Sequence, residues 1–221
     1  MIHLPCFSKA EGAQICKILF SIQDAWDLRN KRAIQDTPSY KWYTVGAPLY
    51  LDSDLLGNYT EKSEVYNEVL RTNFKPYLDI LLKVLAAHTG YKTELMADSN
   101  NHVSLVGFHI HTSGTLFTNF VSRMHTDLQW KSLAILLGQD PEVFEHNNHY
   151  TFTIPVMIPY MGAFLATPEG KVKYSLNKML IHSGQEPHAL TGTPFISLPN
   201  DYRIMMQGHA ILINDTLYLY W

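Results

Sequence analysis

"HVSLVGFHIHT" (102–112) is the stretch on which the fold turns. Apolar residues alternate with polar ones along it, the two-residue period of a strand with one buried face. Upstream of Gly90 the period is helical instead. Residues 9–29, "KAEGAQICKILFSIQDAWDLR", repeat apolar side chains at Ile15, Leu19, Ile22 and Trp26, and Ser8 suits the N-cap. A second helix is expected over about 61–88, with Val65, Val69, Phe74, Leu78, Leu81, Leu82 and Leu85 on one side and Gly90 as its stop. The segment between them, residues 30–54, carries Pro, Gly and aromatics without a steady period and reads as an ordered connection with short extended pieces.

Downstream the alternation continues. "YTFTIPVMIPYM" (150–161), "KVKYSLNKMLIHSG" (171–184) and "DYRIMMQGHAILINDTLYLYW" (201–221) are separated by turn signals such as "TPEG" (167–170) and "TGTP" (191–194). Two helices followed by seven or eight short strands predict an α+β, mainly β chain, with a helical layer on a β-barrel or sandwich. No repeat or linker divides the sequence. It reads as one domain, with residues 1–95 as helical support and 96–221 as β core. The closing "LYLYW" is expected to form a strand whose aromatic side chains pack on the body.

Composition narrows the function classes. The 221 residues are 46% hydrophobic and 17% charged, which is globular. A net charge of −3 without a Lys/Arg cluster argues against nucleic acid or an anionic membrane as partner. Two cysteines, Cys6 and Cys16, are too few for a disulfide scaffold, so a reducing, cytoplasmic setting is expected. No apolar run reaches the roughly 18–20 residues of a membrane span, and "MIHLPCFSKAEG" lacks the pattern of a signal peptide.

The chemistry-bearing pattern lies in "VSRMHTDLQW" (121–130). His125 and Asp127 project from one face if 121–129 is extended. A His-x-Asp match alone is weak, since the composition gives roughly half a match by chance. "MLIHSGQEPHAL" (179–190) offers a third ligand in His182 or His188. Two imidazoles and a carboxylate hold one face of an octahedral Fe(II) and leave three positions open for a co-substrate and O2. A chelating 2-oxo acid needs a counter-charge for its distal carboxylate, and arginine pairs both of its oxygens. Arg203 is the only Arg or Lys after His188.

"HTD" at 125–127, "IHSGQEPH" at 181–188 and Arg203 together resemble the Fe(II)/2-oxoglutarate-dependent oxygenases. The resemblance covers residues 95–221. It implies a double-stranded β-helix, a jelly-roll or cupin-like barrel with N-terminal helices against one sheet. It also implies iron on His125, Asp127 and His188, 2-oxoglutarate paired with Arg203, and O2 as second co-substrate. The spacing in "IHSGQEPH" favours His188 over His182. The 15-residue interval from His188 to Arg203 requires a loop in "TGTPFISLPND" (191–201). Hydroxylation, the family's commonest outcome, is expected, and the retained Asp127 argues against halogenation, since halogenases of this family replace that carboxylate with a small residue. The expected substrate is a small molecule, an amino acid derivative or a peptide.

Other readings stand beside this one. His125 and Asp127 also suit a plain strand hydrogen bond, and Arg203 a surface pair with Asp201 or Asp215. A barrel that binds a ligand or metal without oxidising it would share the fold. His109 and His111 form a His-x-His pair of the cupin kind, but Thr115 stands where that motif has Glu, so they read as wall or core residues. Gln207 and His209 share the strand face of Arg203 and are candidates for the interior. Trp42, Tyr43, Tyr50 and Trp130 are candidates for a pocket mouth, although aromatics in β-rich proteins more often fill cores.

Overall fold

The computed structural model describes residues 1–29, 41–52, 56–112, 124–145, 147–160, 162–191 and 201–221. The chain opens with β1 (Ile2–Pro5), α1 (Lys9–Ser21), a 3-10 turn (Gln23–Ala25), β2 (Asp27–Leu28) and β3 (Trp42–Val45). Then follow α2 (Leu49–Asp52), α3 (Leu56–Thr89), β4 (Lys92–Leu95), α4 (Met96–Ser99) and β5 (Gly107–His111). Two helices, α5 (Gln129–Leu136) and α6 (Pro141–Glu145), precede β6 (His149–Met157), β7 (Phe164–Thr167) and β8 (Gly170–Lys173). The described chain closes with β9 (Lys178–Ser183), β10 (Ala189–Thr191), β11 (Arg203–Ile213) and β12 (Thr216–Tyr220).

Ser8 caps α1 as expected. Its hydroxyl accepts from Glu11 N at 3.2 Å, while the Glu11 carboxylate accepts the Ser8 N–H at 2.7 Å, a capping box that occupies two otherwise unpaired donors. The helix ends at Ser21, eight residues short of the expected 29. Trp26 lies beyond it, its indole donating to Leu19 O at 3.1 Å. The second helix starts earlier than its period suggested. Its buried stripe is Leu70, Phe74, Leu78, Leu81 and Leu85, whereas Val65 is 64% exposed. Gly90 terminates it with a φ of +77°, a conformation in which glycine has no Cβ penalty.

The large sheet runs β1-β9-β6-β11-β5-β3-β2, with β12 on β11 and β4 on β12. The small sheet runs β10-β7-β8, extended by an antiparallel bridge between His125 and His188. With the His125 bridge counted as a minimal strand, the eight core segments run in chain order β5, His125, β6, β7, β8, β9, β10 and β11; they lie in the order first-eighth-third-sixth in one sheet and second-seventh-fourth-fifth in the other. This is the topology of a double-stranded β-helix. The two sheets remain separate among the described residues, so the expected barrel is open. The N-terminal segment gives the large sheet four strands, β1, β2, β3 and β4, as well as its helical support.

Strand parity sorts the side chains. Phe108, Ile110, Phe152, Ile154, Ile204 and Met206 are buried with the stripes of α1 and α3 in one apolar cluster. Each such burial is worth roughly 1.5–3 kcal/mol. The opposite parity faces the small sheet and carries His109, His111, Thr151, Thr153, Met205 and Gln207. Trp221 is fully buried, as the closing aromatics predicted. The expectation of an extended 121–129 needs correction. Residues 121–123 lie outside the described set, pairing is limited to the bridge at His125, and helix begins at Gln129. The reason is helical spacing, since Trp130, Leu133 and Ala134 bury one face of α5. Most of the "TGTPFISLPND" loop, residues 192–200, also lies outside the described set.

Candidate metal centre

Backbone pairing brings the expected ligands together. His125 N donates to His188 O at 2.9 Å and His188 N to His125 O at 2.8 Å. Residues opposed in this way carry their side chains on the same face. Asp127 N donates to Gly184 O at 2.8 Å, which fixes the carboxylate two residues along. His125 Nε2 is then 3.8 Å from Asp127 Oδ1, and His188 Nε2 is 3.5 Å from Asp127 Oδ2. One donor atom from each residue lies within 4.8 Å of the others.

The donor set fits a divalent first-row ion. Metal–ligand distances near 2.1 Å call for adjacent donors about 3 Å apart, a small contraction from those seen. The His188 tautomer also fits. Its Nδ1–H donates to Glu186 O at 2.8 Å, which leaves the Nε2 lone pair for coordination, the usual support of a metal-bound histidine. Thr151 Oγ1 donates to Asp127 Oδ2 at 2.5 Å and accepts from His209 Nδ1 at 3.1 Å. Burial would raise the Asp127 carboxyl. The flanking imidazoles of His209, His188 and His125, with the Thr151 hydroxyl, outweigh it and hold the pKa below its ordinary value. His125 is the solvent-facing member of the candidate set, with its side chain 45% exposed, against 7% for the other two.

The three candidate ligands border a cavity of about 450 Å³, within the range of small-molecule sites. His182 also lines it, its ring edge-on to His188 at 4.7 Å, but it is outside the three-residue donor cluster. Arg203 is 1% exposed. Its Nη1 donates to Thr191 O at 2.8 Å, and the guanidinium lies 5.2 Å from the ring centre of Tyr174. Tyr174, rather than Arg203, presents surface to the cavity there.

Of the other candidates, His109, His111 and Gln207 line the cavity and His209 sits behind Asp127. Both ring nitrogens of His109 are engaged by Trp42 and Tyr50, so it is not available as a metal ligand. Trp42 and Tyr50 line the cavity, whereas Tyr43 packs on Trp26 and Trp130 stacks on His149. Thr151, Thr153 and Tyr174 were missed by sequence reasoning. The threonines alternate with Phe152 and Ile154 on β6, and that alternation was their one signal.

No protein-family model matches the chain, and no curated protein matches it. Solved structures of similar layout exist. AviO1 from Streptomyces viridochromogenes Tue57 is 11% identical with a TM-score of 0.45, covering 96% of this chain and 88% of that one. An oxidoreductase of the 2OG-Fe(II) oxygenase family from Burkholderia pseudomallei is 12% identical with a TM-score of 0.45, covering 93% and 80%. HygX from Streptomyces hygroscopicus, with nickel and 2-oxoglutarate bound, is 10% identical with a TM-score of 0.41, covering 93% and 80%. Likeness at this level assigns neither substrate nor residue role to this chain. Among the described residues no helix is long and apolar enough to cross a membrane.

Proposed function

We propose that the chain is an Fe(II)- and 2-oxoglutarate-dependent oxygenase acting on a small molecule, an amino acid derivative or a peptide segment, with hydroxylation as the outcome. The observation that carries this reading is the approach of His125, Asp127 and His188 donor atoms to within 4.8 Å at the edge of a 450 Å³ cavity. A metal bound there supplies the redox chemistry that couples O2-dependent decarboxylation of a 2-oxo acid to substrate oxidation.

The chain's own residues have definable tasks in this reading. Glu186 O holds the His188 ring in one orientation. His209 and Thr151 hold Asp127 as the anion, with one oxygen anchored. Arg203, buried behind Tyr174, supplies the positive end that receives the distal carboxylate of 2-oxoglutarate. Leu165, Leu190 and Met205 give the cavity apolar wall, which limits water around the reacting atoms.

Anaerobic absorption spectroscopy tests the assignment. Adding 2-oxoglutarate to the Fe(II)-loaded protein should produce a weak visible charge-transfer band. The band should be lost in Arg203→Ala and retained in His182→Ala, and succinate should accumulate once O2 is admitted. A wild-type protein that binds Fe(II) yet gives no band at saturating 2-oxoglutarate overturns the reading.

A further inference from the structure

The Trp42–His109–Tyr50 contact on the cavity wall has a determined direction. Trp42 Nε1 lies 3.0 Å from His109 Nδ1. An indole N–H only donates, so Nδ1 must be the acceptor and carries no proton. The neutral ring then has its hydrogen on Nε2. Tyr50 Oη is 2.7 Å from that Nε2, so the phenol oxygen accepts. The proton of Tyr50 itself has no lone pair left on His109 to meet.

The surroundings hold this arrangement in place. The His109 ring packs edge-on against Trp221 at 5.0 Å. Burial first, then the positive charges of Arg29 and Arg203, depress its pKa to about 3, which keeps the ring neutral. Tyr50 sits on α2, whose Leu49 N donates to Trp221 O at 3.1 Å. At the far end of α2, Asp52 is gripped bidentately by Arg29 at 2.8 and 2.9 Å and by Lys62 at 2.8 Å. Tyr50 nonetheless keeps 39% of its surface exposed and lines the cavity. Among the described residues its hydroxyl has no acceptor.

We propose that the Tyr50 hydroxyl is an orientation-locked hydrogen-bond donor that selects a carbonyl or carboxylate oxygen on the molecule occupying this wall of the cavity. Trp42 is a positioning residue that acts by fixing the His109 tautomer. The ligand oxygen comes either from the 2-oxo acid or from the primary substrate. The inference rests on the oxygenase reading only for the first of these sources.

The test has three measurements on the full chain. In 15N NMR of the Zn(II)-loaded protein, His109 should show an unprotonated Nδ1 and a protonated Nε2, and the opposite tautomer overturns the proposal. Calorimetry then compares N-oxalylglycine binding to wild type, Tyr50→Phe and Trp42→Phe. A loss of about three- to tenfold in both variants, the size of one neutral hydrogen bond, identifies the 2-oxo acid as the source. With affinity unchanged, the isosteric pair cyclohexanone and methylenecyclohexane decides by NMR titration. Wild type should prefer the ketone by a similar factor, and both variants should lose that preference. Unchanged N-oxalylglycine affinity together with no ketone preference overturns the proposal. Wild type that fails to bind N-oxalylglycine counts against the oxygenase reading, while the tautomer and ketone measurements still decide the role of Tyr50.

Discussion

Thr151 stands between His209 and Asp127 and touches no metal position itself. Its hydroxyl spends its proton on Asp127 Oδ2 and its lone pair on His209 Nδ1–H. Replacing it by valine keeps the shape and removes both bonds, so the carboxylate gains freedom. Supporting residues of this kind typically change metal affinity by about 10–100-fold. Thr151→Val should therefore weaken Fe(II) binding by a factor in that range in competition with a chelating dye, with an unchanged far-UV spectrum. Affinity equal to wild type would show that Asp127 is held without it. The contrast between Thr151 and its ligand neighbours explains what the sequence conveyed at this scale. His125, Asp127 and His188 stood out as candidate ligands because few side-chain types bind iron. Thr151 did not, and His209 was legible only as an interior residue, because a hydroxyl or a buried imidazole acquires its role only from what the sheet register places opposite. Register pairs Thr151 with His209, and no local pattern announces that pairing.

The fit of β5 against Trp221 shows how tightly neighbouring elements constrain one another. A Cβ at Gly107 would overlap the Trp221 indole and the carbonyl of Val45. Neither can retreat easily, since Trp221 N donates to Ser104 O at 3.1 Å and Val45 is in β3. Gly107→Ala should cost about 1–3 kcal/mol, the usual penalty of overpacking, read as a lower urea midpoint at constant slope. A midpoint unchanged from wild type would mean that the indole has another resting place. Element types were readable from period, with β5, β6, β9 and β11 falling in the stretches that alternate. Faces and ends were less so. Val65 fits a helical stripe in sequence but points to solvent, because the sheet meets α3 along Leu70, Phe74 and Leu78 instead. The helix α5 was missed because the two-residue rule was carried past Asp127 into residues that bury at helical spacing.

Across the whole molecule, one face of the large sheet is filled by helices and the other holds a cluster of buried imidazoles. Burial, aided by the positive charges of Arg29 and Arg203, lowers the pKa of His109 to about 3; at His209 burial prevails over the opposing Asp127 carboxylate and lowers the pKa to about 4. His111 is shifted in the same direction for the same first reason. An unfolded histidine takes a proton near pH 6.5, whereas these folded ones do not. Their contribution to stability is complete above that value and is lost as pH falls toward the folded pKa values. Each such group adds about 1.4 kcal/mol per pH unit to the slope within its window. His109→Gln should flatten the stability–pH slope between pH 6.5 and about 3 by that amount in urea titrations of the metal-free protein. An identical slope would mean that His109 protonates in the folded state. A mainly β barrel or sandwich was legible from the count of alternating segments, whereas the double-stranded arrangement came only from the family resemblance. The strands β1, β2, β3 and β4 that the N-terminal segment adds to the large sheet were not legible, since strands of two to four residues carry little period of their own.

The central claim is that His125, Asp127 and His188 form a metal site. Anaerobic equilibrium dialysis against Fe(II), with bound iron counted per chain, addresses it most directly. Wild type and His182→Ala should each retain a single ion. His188→Ala should lose affinity by more than the roughly 10–100-fold expected for a supporting residue. Iron retained by His188→Ala as tightly as by wild type, or lost in His182→Ala alone, would contradict the account.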